Sequence, residues 1–153
     1  MATTTVDLAQ NFQKLGLGEN WSWSKGSWWL DAPEDFELRT VTTRLIELQA
    51  RFLAITATPL ASFVVPPPST PQVGGGLRLD YHWDLNGQLL TFKVTCPDSK
   101  SVSIVDLVPG ADWAERENYE YFAVEFAGRA SLEPLMLRTG DQPGVLLQKE
   151  VTE

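Results

Sequence analysis

The sequence predicts an α+β domain: two layers, a mixed or mainly antiparallel sheet with helices on one face, and an extended C-terminal tail. Three stretches carry that prediction. "LRLDYHWDL" (77–85) alternates apolar and polar residues, then Asn86-Gly87 leads into a second alternating run. Alternation marks a half-buried strand, and Asn-Gly is the strongest short hairpin signal because both residues tolerate positive φ. Leu38, Val41, Leu45 and Leu48 recur at helical spacing. Residues 110–128, "GADWAERENYEYFAVEFAG", crowd charges and aromatics into a few turns after a Pro-Gly break.

The elements follow in order. Leu8, Phe12 and Leu15 fall at i, i+4 and i+7, which predicts a short first helix stopped by Gly16 and Gly18. "NWSWSKGSWWLD" reads as a small hairpin turned at Lys25-Gly26, with Ser alternation giving Trp21, Trp23, Trp28 and Trp29 one shared inner face. Asp31 and Glu34 are placed as a capping box for the helix that carries Leu38 to Leu48. "RFLAITATP" is β-rich and ends at Pro59. Residues 64–76 hold four prolines and three glycines and read as a loop or insertion. The hairpin strands place Leu77, Leu79, Tyr81, Trp83 and Leu85, then Leu90, Phe92, Val94 and Cys96, on one face. Residues 1–153 are expected to form a single domain, with a globular core to residue 134 and an extended tail over 135–153.

Composition narrows the function. Net charge is −8, without a basic stripe, so nucleic acid and anionic lipid are poor partners. One cysteine, Cys96, allows no internal disulfide, no cysteine-ligated iron–sulfur cluster and no thiolate zinc site, and fits a reducing compartment. The N-terminus lacks the apolar core of a signal peptide, and no apolar run approaches the ~20 residues that span a bilayer. The expected location is cytoplasmic, with any membrane association through other chains. No catalytic, cofactor or metal residue is predicted.

In the 110–128 stretch Asp112 can cap a helix, with Glu115 as reciprocal acid, and Asp112–Arg116 and Arg116–Glu120 are i, i+4 pairs. On a helical wheel, Glu117 falls inside an apolar arc between Trp113 and Tyr121. Such a carboxylate pairs within the fold, snorkels, or meets a second chain.

The same region resembles a known family. "SVSIVDLVPGADWAERENYEYFAVEF" is similar to the signature of the 30-kDa subunit of respiratory complex I, the NADH-quinone oxidoreductase, and of its relatives in membrane-bound, energy-converting nickel–iron hydrogenases. Val105, Asp106, Leu107, Pro109, Ala111, Trp113, Glu115, Arg116, Glu117, Glu120, Tyr121 and Phe122 fall in register with it. The match runs over most of the chain and is weak before residue 50. The family's Gly-His-Pro reads Gly128-Arg129-Ala130 here, and its Arg-Arg segment reads Leu132-Glu133-Pro134. The short ending after Pro143-Gly144 looks more like the hydrogenase-type members.

The resemblance implies a subunit without a redox centre, not an enzyme by itself, in the peripheral arm of an electron-transfer complex on the inner face of the cell membrane. It would pack on the large catalytic subunit and beside the small iron–sulfur subunit. Trp113, Glu115, Arg116, Glu117, Glu120, Tyr121 and Arg129 are the implied partner-binding residues.

Two rivals remain from the residues themselves. The tryptophans of 21–29, if exposed, would form an aromatic platform for sugars or choline-like cations; buried, they would cover the core. His82, the single histidine, alternates onto the polar strand face with Asp80 and Asp84, where a solvated histidine is the expected state and a catalytic one would still need a nucleophile in place.

Overall fold

The computed structural model describes residues 11–60, 76–129 and 132–144. The expected loop over 64–75, the start of the first helix and the last part of the tail lie outside these residues. Among them are strands β1 (Ser22–Ser24) and β2 (Ser27–Asp31), helix α1 (Leu38–Glu47), strands β3 (Arg51–Pro59), β4 (Leu77–Leu85), β5 (Gln88–Cys96) and β6 (Lys100–Val102), helix α2 (Ala111–Phe122) and strand β7 (Glu125–Ala127).

The α+β prediction holds. Five strands form one mixed sheet in the order β1-β2-β5-β4-β3, and β6 and β7 pair in parallel beside it. The β4–β5 hairpin is its centre. Asn86 and Gly87 both take positive φ, and the Gly87 amide donates to Asp84 Oδ1 at 2.7 Å. The tight turn fixes the register Leu85↔Gln88 through Leu77↔Cys96. The 22–31 hairpin also forms, turned by Lys25 and Gly26 at positive φ. Its second strand lies parallel to β5, with Trp28 opposite Leu90 and Leu30 opposite Phe92.

One sheet face is the core. Trp28, Leu30, Ile55, Leu79, Tyr81, Trp83, Leu90 and Phe92 are buried there beneath Leu38, Val41 and Leu45 of α1, with Phe12, Leu17 and Trp21 closing one end. Gly18 (φ +98) allows a close approach: a Cβ there would come within 2.8 Å of Leu30 Cδ2. α2 lies along β3, where Asn118 Nδ2 donates to Ile55 O at 3.1 Å and so occupies part of the sheet's open edge.

Several local expectations are corrected. No capping box precedes α1: its N-cap is Glu37, without a side-chain cap bond. Asp31 ends β2 and pairs with Lys93 instead (3.2 Å), and the chain turns through Pro33 before the helix begins. The four tryptophans of the first hairpin do not share a face. Trp21 and Trp28 are buried, Trp23 is 46% exposed, and Trp29 faces the other side of the sheet with Lys93 5.3 Å from its ring centre. Strand alternation separates the adjacent Trp28 and Trp29.

Candidate functional site

Two features of the sequence set the site around α2. Pro109-Gly110 breaks the chain before the helix, and the helix then carries Asp112, Glu115, Glu117 and Glu120 against a single Arg116. Three of its four acids are turned to tasks within the chain. Glu115 has no exposed surface. Its carboxylate accepts from Ser103 Oγ at 2.7 Å, from the Ile104 amide at 2.8 Å and from Arg129 Nη1 at 3.1 Å. Glu120 is equally buried and accepts from the consecutive amides of Leu135, Met136 and Leu137. Three amides converging on one carboxylate form an anion nest, here filled by a side chain of the same molecule.

Asp112 takes Arg129 on one oxygen and Arg116 on the other, at 3.4 Å. Burial works against its ionisation, but the Arg129 and Arg116 guanidinium groups outweigh it and hold the carboxyl below its usual range. Arg116 also donates to the carbonyls of Glu133 (2.9 Å) and Pro134 (2.8 Å). A further brace comes from α1: Arg39 makes a two-pronged contact with Asp106 (2.6 and 2.7 Å) and donates to Ser103 O. That hydrogen bond with Arg39 lowers the Asp106 carboxyl. Together these bonds tie residues 103–104, 129 and 133–137 to α2, and Ser103 and Asp106 to α1 as well.

The structure thus corrects the helical wheel. The arc taken as apolar faces outward: Trp113 is 65% exposed and Glu117 is exposed, while Tyr121 is half-buried against Phe122 (ring centres 6.2 Å apart). The inward positions are Ala111, Glu115, Asn118 and Glu120. Nor does Asp112 cap the helix with Glu115, because Gly110 is the N-cap and no side-chain cap bond forms. The Asp112–Arg116 pair forms as expected; Arg116–Glu120 does not, since the 132–137 segment claims both side chains. Sequence reasoning missed Arg39, Ser103 and Asp106 as braces. Arg39 and Asp106 are far apart in the chain, and no local pattern links them.

The remaining candidates are accounted for elsewhere. His82 bridges Thr56 Oγ1 (3.0 Å) and Thr91 Oγ1 (2.9 Å) on the polar sheet face. Burial lowers its pKa, with Asp80 acting in the opposite sense. Cys96 is buried as expected, and burial pushes its thiol up to about 11, so little reactive thiolate forms near neutrality. The split of the tryptophans between core and outer face removes the single aromatic platform. Among the described residues no group of three or more His, Cys, Asp or Glu side chains could hold a metal ion. Among them, too, no helix is long and apolar enough to cross a membrane.

The chain is similar to known proteins in sequence and in fold. The chain is similar, at 34% identity over 73 residues, to the C/D 2 chain of NADH-quinone oxidoreductase from Aquifex aeolicus (strain VF5). The match covers 48% of this chain and only 12% of that much longer protein. Among solved structures, a trypsin-resistant fragment (1–134) of Nqo5 superposes with a TM-score of 0.58 at 17% identity, over 83% of this chain and 98% of the fragment. A chain of the membrane-bound sulfane sulfur reductase, an archaeal respiratory membrane complex, gives 0.65 at 19% identity, over 89% of this chain and 78% of its own length. At such identities the two structures establish a shared fold. The sequence model of the respiratory-chain NADH dehydrogenase 30 kDa subunit matches residues 37–152, from the start of α1 through the braced helix and the segment it holds. By that match over most of its length, the chain belongs to the 30 kDa subunit family of respiratory-chain NADH dehydrogenase.

Proposed function

We propose that the chain is a non-catalytic assembly subunit in the peripheral arm of a complex I-like or energy-converting hydrogenase-like electron-transfer complex. It packs on the large catalytic subunit, beside the small iron–sulfur subunit, and reaches the inner face of the membrane only through them. The observation that carries this reading is the inverted α2. Its polar side chains brace the chain from within, and its tryptophan is 65% exposed. Exposed tryptophans on rigid elements are frequent anchors of protein interfaces. Trp113, Glu117 and Tyr121 would form the contact stripe. Glu115, Glu120, Arg116 and Arg129 would hold its shape.

The test is co-expression of the full chain with the large and small subunits of its complex. The wild-type chain is expected to purify with them in equal stoichiometry. Trp113→Asp should melt at the wild-type temperature, since the ring is exposed, and be missing from the complex. A wild-type chain that elutes apart from both subunits would refute the reading. The chain purified alone is expected to be colourless, and stoichiometric iron, nickel or zinc by elemental analysis would contradict the non-catalytic assignment.

A further inference from the structure

Around α2 the cations are already engaged. Arg116 is held by Asp112 and two carbonyls, and Arg129 by Asp112 and Glu115. Glu115 and Glu120 are buried on donors of the same chain. Glu117 differs. Its side chain is exposed and, among the described residues, has no hydrogen-bond or ion-pair partner. It lies one helical turn after Trp113 and one before Tyr121, roughly 6 Å along the axis from each. The stripe is therefore a carboxylate flanked by two aromatic residues, on a chain of net charge −8.

We infer that the partner segment seated on this stripe presents a basic side chain, an arginine, whose guanidinium lies on the Glu117 carboxylate and against the Trp113 ring. A planar guanidinium can make a fork to a carboxylate and stack on an indole face at once, which an ammonium cannot do equally well. Charge complementarity selects this occupant over a purely apolar segment or a second copy of this acidic chain. The inference rests on the proposed assembly role and specifies the chemistry of its contact.

The experiment measures binding of the full-length chain to the large subunit between roughly 50 and 300 mM salt. Glu117→Gln is expected to weaken binding about ten-fold or more and to flatten its salt dependence. Trp113→Leu should weaken binding by a similar factor and keep the salt dependence. Both variants should melt with the wild type, which excludes misfolding as the cause. Wild-type binding by Glu117→Gln at every salt concentration, with Trp113→Leu impaired, would overturn the basic partner and leave the assembly role standing. Wild-type binding by both variants would remove the stripe from the interface. Failure of the wild-type chain itself to bind would overturn both readings, and sedimentation as a dimer abolished by Trp113→Leu would give the stripe to a second copy.

Discussion

Glu115 is the residue on which the local structure depends most. It sits without exposed surface between a serine hydroxyl, a backbone amide and Arg129. Glu115→Ala deprives Arg129 of one of its carboxylates and leaves the Ile104 amide without its acceptor. Breaking a buried pair from one side costs about 3–5 kcal/mol, so the urea midpoint of this variant should fall steeply. Glu115→Gln keeps the shape and part of the hydrogen bonding, and should lie between it and the wild type. His82 makes a second prediction at this scale. Burial lowers its pKa in the folded chain, so between the folded value and the unfolded value of about 6.5 the unfolded state binds more protons. Stability is therefore fully present above about pH 6.5 and declines as pH falls below it. The melting temperature should drop between about pH 7 and pH 5.5, and His82→Gln should show a smaller drop across that window.

Among the elements, α2 and the segment at 132–137 are mutually dependent. Glu120 gathers the amides of Leu135, Met136 and Leu137, and Arg116 holds the two carbonyls before them. Glu120→Ala should cost about 1–3 kcal/mol, the usual penalty for unsatisfied buried donors. It should also speed hydrogen exchange at residues 135–137 more than ten-fold, with the amides of β4 and β5 unchanged. The strand–turn–strand unit at 77–96 and the leucine stripe of α1 could be read directly from the sequence, because alternation, Asn-Gly chemistry and helical periodicity are local. The inward face of α2 could not. A wheel assigns Trp113 to the core and Glu120 to water by residue type, whereas the partners that make a buried carboxylate stable, Ser103 and the amides of 135–137, lie 12 or more residues away. β6 and β7 escaped for a related reason: three-residue strands carry no period, and their pairing exists only once α2 has returned the chain.

Across the whole molecule the two faces of the sheet have different roles. The face away from α1 satisfies itself: Arg78 forks onto Asp80 (2.7 and 2.8 Å), His82 bridges two threonines, and Lys93 joins Asp31 to the Trp29 ring. Among the described residues such a face offers few unmet polar groups to another chain, and the proposed contact stripe lies instead on α2. The parallel pairing of β2 with β5 has a kinetic consequence. Trp28 meets Leu90, about 60 positions on, while β4 and β5 close through a two-residue turn. Loop-closure entropy favours the local hairpin, so β4–β5 is expected to belong to the folding nucleus and the 22–31 unit to dock onto a sheet already formed. In stopped-flow urea jumps, Trp28→Phe should accelerate unfolding several-fold and leave refolding nearly unchanged. Trp83→Phe, on β4, should slow refolding instead. Equal slowing of refolding by both would mean that the first strands zip onto β5 before the rate-limiting barrier is crossed.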